Sequence, residues 1–191
     1  MRVERTTLTG TFVQLEPIQP SHFSELSAVA ADRRIWETTP LGPSFEAYFE
    51  TLVSLAAEGR QVPFAVRWRE SGQLVGGTRL MDIVPEHYRL EIGGTWYHPD
   101  YWGGPVNPDA KRLLLSHAFD VCGANRVQLL TDVINQRSQA AIAKLGAVRE
   151  GVVRSHMLID GTRRRDSVMF SIVREEWPTV RAQLDAVIAA S

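Results

Sequence analysis

Residues 91–112 read EIGGTWYHPDYWGGPVNPDAKR, and the reading of this stretch decides the arrangement of everything around it. Alternating residues up to Tyr97 describe a strand, and His98 to Pro105 form a loop that carries Gly103 and Gly104. The next residues specify a helix entry. Asn107 is a good N-cap, Pro108 suits the first helical position because an N–H there would be unpaired anyway, and Asp109 complements the helix dipole. A strand, a glycine-bearing loop and a helix start in succession have two readings. One is a well-made turn. The other is an anion site, in which unpaired N–H groups and the positive end of the helix meet a phosphate, with Lys111 and Arg112 adding charge.

Upstream, Phe12 to Ile18 reads as a first strand ended by Pro17 and Pro20, followed by helical spacing over Ser21 to Ala30 and Ser44 to Gly59. Pro63 to Trp68, Leu74 to Ile83 and Tyr88 to Tyr97 are strands between turn residues, for which an antiparallel meander is the simplest arrangement. Downstream come a helix from Asn107 to about Cys122, a strand from Arg126 to Val133, and a helix from about Gln136 to Leu145. Gly123 and Gly146 act as the stops of these helices. Val148 to Ile159 and Arg165 to Val173 flank Asp160-Gly161 as a hairpin, and a short helix follows Trp177-Pro178. No linker or repeat interrupts this order, so residues 1–191 read as one α+β domain.

Composition narrows the function. The 191 residues are 44% hydrophobic and 23% charged, with 21 basic against 22 acidic side chains, enough chain to bury a core without staples. That balance argues against a constitutive nucleic-acid binder, which would carry a basic excess on one face. The single Cys122 excludes an internal disulfide and a multi-cysteine zinc site, and His22, His87, His98, His117 and His156 are scattered, so no metal is expected. The polar N-terminus and the lack of a run of ~20 apolar residues lead to the expectation of a soluble cytoplasmic protein without a membrane partner. Phosphate-binding G-x-x-x-x-G-K-[ST], dinucleotide G-x-G-x-x-G, G-x-S-x-G and H-E-x-x-H are all absent, which turns the reading away from nucleotide kinases, oxidoreductases, serine hydrolases and zinc proteases.

Three segments together resemble the GNAT superfamily of acyl-CoA-dependent N-acyltransferases, and within it the ribosomal-protein alanine acetyltransferase-like group. They are EIGGTWYHPDYWGGPVNPDAKRLLLSHAF, RVQLLTDVINQRSQAAIAKLGAVREG, and the Asp160-Gly161 hairpin followed by Arg165, Asp166 and Ser167. The likeness runs from Thr11 to about Arg181. It implies a GNAT-like α+β fold: a mixed, largely antiparallel twisted sheet of about six to seven strands, splayed at the central strands and flanked by helices. It implies acetyl transfer from acetyl-CoA to a primary amine, on a protein N-terminus or a small molecule, by direct attack and without a metal. The acceptor and the oligomeric state stay open, a homodimer among the alternatives. So do a non-catalytic acyl-CoA-binding module and a transferase for a larger acyl group such as succinyl.

The resemblance also distributes roles. Tyr101 to Asn107 would receive the pyrophosphate of coenzyme A, with Trp102, Gly103, Gly104, Pro105, Val106 and Asn107 standing for the usual [QR]-x-x-G-x-[GA] loop and Lys111 close by. Pro105 departs from that pattern and cannot donate an N–H. Backbone groups of Trp96, Tyr97 and His98 would bond the pantetheine arm, and those around Trp96 and Tyr97 the oxyanion. Asn135 would bond the arm as well, or else simply cap the helix that follows. Ile142 occupies the position of a frequent tyrosine, so Ser138 or a water would protonate the leaving sulfur, unless Ser138 only packs that helix. Glu91 would be the base that takes the amine proton, with Glu91, Gly93 and Thr95 on one strand face and the glycines leaving space beside the carboxylate. Trp36, Thr38 and Thr39 lie in the loop that resembles the acceptor wall, where Trp36 is equally readable as a core plug. Arg79, Asp82 and His156 are further acceptor candidates, and Arg163 to Arg165 form a basic turn able to meet an acidic acceptor.

Overall fold

The computed structural model describes residues 1–37, 39–159 and 161–191, so the expectations for Thr38 and for Asp160 of the hairpin turn lie outside the described residues. Among the described residues the order is β1 (Leu8–Thr9), β2 (Val13–Pro17), α1 (Phe23–Ala30), α2 (Phe45–Ala57), β3 (Val62–Trp68), β4 (Leu74–Val84), β5 (Arg89–Tyr97), α3 (Val106–Ser116), β6 (Arg126–Asp132), α4 (Gln136–Lys144), β7 (Val148–Ile159), β8 (Arg163–Val173) and α5 (Trp177–Ala189). The eight strands form one sheet in the order β1-β2-β3-β4-β5-β6-β8-β7. The expected count of six to seven is exceeded because β1, two residues long, is too short to show alternation.

The meander of β3, β4 and β5 is antiparallel as expected. β5 and β6 are parallel because α3 returns the chain to the same end of the sheet. Their pairing is brief: Arg89 faces Arg126, Leu90 faces Val127, and Glu91 faces Gln128. Beyond that point β5 stays with β4 up to Tyr97 while β6 stays with β8 up to Asp132, so the sheet opens into a wedge between them.

Alternation along the strands divides the core. Leu90, Ile92, Val127, Leu129 and Phe170 pack on one side under Ala110 and Leu114 of α3, Ile142 of α4 and Trp177 of α5. Ala65, Leu74 and Trp96 pack on the other side under Leu26 of α1 and Phe49 and Leu52 of α2. With Val127 and Leu129 committed to the first side, Gln128 and Asp132 of β6 must face the second, where the sheet surface becomes polar.

Two helix boundaries differ from the sequence reading. α3 starts at Val106 with Pro105 in the cap position and no side-chain cap, not at an Asn107 cap. Asn107 is already inside the helix, its side-chain oxygen 3.5 Å from the Tyr97 hydroxyl. α5 is a 13-residue helix that includes Trp177 and Pro178 in its first turn, longer than expected. α3 passes through a π-helical turn, His117–Val121, before Gly123 (φ 75°) stops it.

Candidate active site

The chemistry gathers where the wedge opens, and a β-bulge shapes it. Gly77 pairs with Trp96 and Arg79 with Gly93, so Thr78 alone faces both Gly94 and Thr95. Gly94 takes up the extra residue at φ 54°, a left-handed conformation that favours glycine. The bulge resets the alternation. Gly93 and Gly94 both turn to the side of α1 and α2, whereas Thr95 turns to α3, with its hydroxyl 2.8 Å from that of Thr78 and 2.6 Å from Lys111 Nζ. Glu91 and Thr95 therefore do not share a face, because the extra residue breaks the two-residue period between them.

The two glycines do not leave empty space either. A Cβ on Gly93 would lie 2.7 Å from Glu91 Oε1 and 2.9 Å from Met81 Sδ. A Cβ on Gly94 would collide with Arg79 Nε and stand 2.9 Å from its Cζ. A carboxylate and a guanidinium thus lie side by side over a bare stretch of backbone.

Burial holds the Glu91 carboxyl above the usual carboxylate range, and the charge of Asp82 adds to this; a hydrogen bond from Gln128 and the charges of Arg79 and Arg165 work the other way. Gln128 Nε2 donates to Glu91 Oε2 at 3.4 Å and to Asp82 Oδ2 at 2.9 Å, and Arg89 meets the same Asp82 oxygen at 2.6 Å. Further along β6, buried Asp132 accepts from Arg163 at 2.6 Å and lies 3.9 Å from Arg165 Nε. Two of the three arginines of the basic turn are therefore directed at an internal carboxylate. His156 is exposed on β7 and meets the Ser167 hydroxyl at 3.0 Å.

The wall beside Arg79 is aromatic. Trp36 packs against Trp96, Tyr48 and Phe45 with centroids 5.3, 5.8 and 6.3 Å away, and its indole N–H donates to the Ala30 carbonyl at 2.8 Å. Trp36 thus packs as a plug against the second core. The Arg79 guanidinium lies 6.0 Å over the Tyr48 ring, whose hydroxyl burial pushes towards the neutral form. Thr39 is half-buried.

On the α3 and α4 side, the edge of β5 that faces the wedge has no strand partner after Glu91 among the described residues. The Trp102 indole donates to the Tyr97 carbonyl at 3.0 Å, and Arg137 of α4 stacks over the Trp102 ring at 3.5 Å, so the two lips of the wedge touch there. His98 continues the pairing of β5 with β4 through a 2.8 Å bond from its N–H to Val75. Asn135 caps α4, its side-chain oxygen accepting from the Ser138 N–H at 3.0 Å. Ser138 is half-buried and Ile142 is buried one turn further on.

The loop into α3 carries N–H groups at Gly103 (φ 77°), Gly104, Val106 and Asn107, the last two without intrahelical acceptors, while Pro105 and Pro108 have none to offer. Asp109 is turned away from this end: its carboxylate accepts from the N–H groups of Phe12 and Val13 at 2.6 and 2.9 Å. Lys111 is buried against Thr95, and burial lowers its ammonium to about 7. Arg112 pairs with Asp185 of α5 at 2.7 Å. Neither cation therefore reaches the loop, whereas Arg137, which sequence spacing does not single out, stands beside it. An open strand edge leading to a row of backbone donors fits a cofactor with an extended polar arm and a phosphate end. Among the described residues no group of histidine, cysteine or carboxylate side chains could hold a metal ion, and no helix is long and apolar enough to cross a membrane.

Residues 13–148 match the acetyltransferase (GNAT) domain family. A solved acetyltransferase structure, provisionally so named, from T. thermophilus is 36% identical, with a TM-score of 0.86 over 97% of this chain and 98% of the other. The provisionally named ribosomal N-acetyltransferase YdaF of Bacillus subtilis is 29% identical over 106 residues, 56% of this chain and 57% of that protein. RimJ of Mycobacterium smegmatis, solved with CoA-disulfide, shares the fold at 22% identity with a TM-score of 0.82 over 95% of this chain and 94% of that one. With a wedge between parallel strands, a donor-lined helix entry and the family match across most of its length, the chain belongs to the GNAT acetyltransferases and is an acetyl-CoA-dependent N-acetyltransferase.

Proposed function

We propose that the chain acetylates a primary amine of a protein or peptide, with the acyl donor in the wedge and the amine arriving from the side of α1 and α2. The observation that carries this is the half-buried Glu91 carboxyl, held above the usual carboxylate range, at the last paired position of β5 and β6 where the wedge begins. The peptide acceptor is supported by the ribosomal designation of YdaF. Glu91 takes the proton of the incoming ammonium, the freed amine attacks the thioester carbonyl carbon, and the carbon–sulfur bond breaks. N–H groups of the unpaired β5 edge meet the negative charge that develops on the carbonyl oxygen. As the carbon–sulfur bond breaks, the attached nitrogen gives up its second proton, which reaches the leaving sulfur through Ser138 or a water, so that amide and thiol form together. Gly103, Gly104, Val106 and Asn107 hold phosphate oxygens, assisted by Arg137; Tyr97, His98 and Asn135 line the arm; Trp36 and Arg79 bound the acceptor. Lys111 and the Trp96 ring support the strand edge from behind.

Glu91→Gln tests the assignment. It lowers kcat by about 10² to 10³-fold, the usual scale of general-base catalysis, while acyl-CoA affinity by calorimetry stays within about twofold. Unchanged turnover in the variant would remove Glu91 from the mechanism.

A further inference from the structure

We infer that Arg79 makes the acceptor site selective for an amine that carries an oxygen acceptor close by, as the α-amine of a peptide does through its first carbonyl. This rests on Glu91 receiving the amine as proposed above. The bulge turns two consecutive residues, Gly93 and Gly94, to one side, with Cα atoms about 3.8 Å apart. The Glu91 carboxylate lies over the first and Arg79 Nε over the second. Opposite charges so placed would ordinarily join, yet Arg79 forms no ion pair or hydrogen bond among the described residues, and its Nε is buried without a partner. The Tyr48 ring supports the guanidinium from behind. Nε itself is closed off against Gly94, but the Arg79 side chain as a whole is only half-buried, so its outer guanidinium N–H groups, unpaired within the described residues, are the donors left for a ligand's acceptor.

The two groups ask for a donor and an acceptor a few ångströms apart. In the N–Cα–C=O unit of a first residue, nitrogen and oxygen are separated by roughly 3 Å on standard backbone dimensions. The amine can then face Glu91 while the carbonyl oxygen accepts from Arg79. A lysine side chain or a polyamine brings the amine alone and leaves the guanidinium unpaired. The α-amine, with an ordinary pKa of about 7.7 to 8.0 against about 10.4 for lysine, also yields its proton more readily to a carboxylate.

The test measures thiol release by the full chain with acetyl-CoA and two peptides: one with a free N-terminal alanine and no lysine, the other blocked at the N-terminus with one lysine. After correction for the free-base fraction, kcat/KM favours the α-amine by at least about tenfold, and Arg79→Met reduces that ratio by about ten- to a hundredfold, mostly through KM. Arg79→Lys, which keeps the charge without the planar fork, recovers part of it. An unchanged ratio in a folded Arg79→Met protein, or a wild-type preference for lysine, overturns the inference and leaves the acetyltransferase reading intact. Should Arg79→Met not fold, replacing the first carbonyl of the alanine peptide by a thioamide, a weaker acceptor, must cause a comparable loss in the wild type; no loss overturns it. If neither peptide releases thiol, the acceptor reading fails, and peptide binding followed by Trp36 and Trp96 fluorescence judges Arg79 separately: weaker binding in the variant supports it, equal binding overturns it.

Discussion

Lys111 and Glu91 lie on opposite sides of β5, and their environments move them in opposite directions. Burial lowers Lys111 from 10.5 to about 7, so between these values the unfolded chain holds a proton that the folded chain has released. Stability therefore rises as pH climbs through that window, by about 1.4 kcal/mol per pH unit at its steepest, and is lost as pH falls towards 7. Urea unfolding at pH 7 and pH 9 detects this slope, and Lys111→Met abolishes it. Glu91 is raised, so its contribution to stability is complete below the ordinary carboxylate range and is lost as pH rises through the elevated value. The proposed role of Glu91 as base needs the opposite, ionised form. The acid limb of kcat/KM consequently sits above the ordinary carboxylate range, and a pH profile of Glu91→Gln lacks it. Glu91 itself was legible as a carboxylate before two glycines; its companion Arg79 was only one polar residue among several, because a bulge across the strand pair decides which side chains become neighbours.

At the scale of elements, the entry of α3 illustrates how a local signal is redirected by a distant one. Asp109 has the position of a dipole-complementing residue, yet its carboxylate serves the N–H groups of Phe12 and Val13, 96 residues or more away in sequence. It leaves Gly10 no room for a side chain, since a Cβ there would lie 2.5 Å from the carboxylate oxygens. Asp109→Ala strands two backbone donors and costs about 2 to 5 kcal/mol in denaturant unfolding, whereas Asp109→Asn retains one acceptor oxygen and costs less. Gly94→Ala joins a left-handed φ to a collision with Arg79, so it destabilises by about 1 to 3 kcal/mol and displaces the guanidinium. Gly103→Ala has the same sign of φ in open space and costs only about 1 kcal/mol, which thermal unfolding of the two variants side by side distinguishes.

For the whole molecule the decisive feature is the parting of β5 and β6. The amides of β5 beyond Glu91 that face the wedge exchange with solvent faster than those paired with β4, and acetyl-CoA slows them selectively; equal protection along both edges without the cofactor contradicts an open wedge. The same binding raises the unfolding free energy by about 2.7 kcal/mol at a hundredfold excess over Kd. A chain with 21 positive and 22 negative side chains has no general field to draw in a polyanion, and Lys111 is buried, so in the proposed site that task falls to backbone N–H groups and the end of α3, with Arg137 beside them.

Periodicity, turn residues and glycine stops determined the elements and their order in the sequence by itself, because those signals act over a few residues. The strand, loop and helix from Glu91 onwards likewise carried, from the sequence, the expectation of a cofactor end. Only the tertiary structure decided that a bulge places Glu91 and Arg79 over adjacent glycines, that Arg163 and Arg165 answer Asp132, and that Arg137 closes on Trp102. Each of these depends on register between strands or on charges meeting across the fold, where the energy lies in the pair and neither residue alone carries its mark.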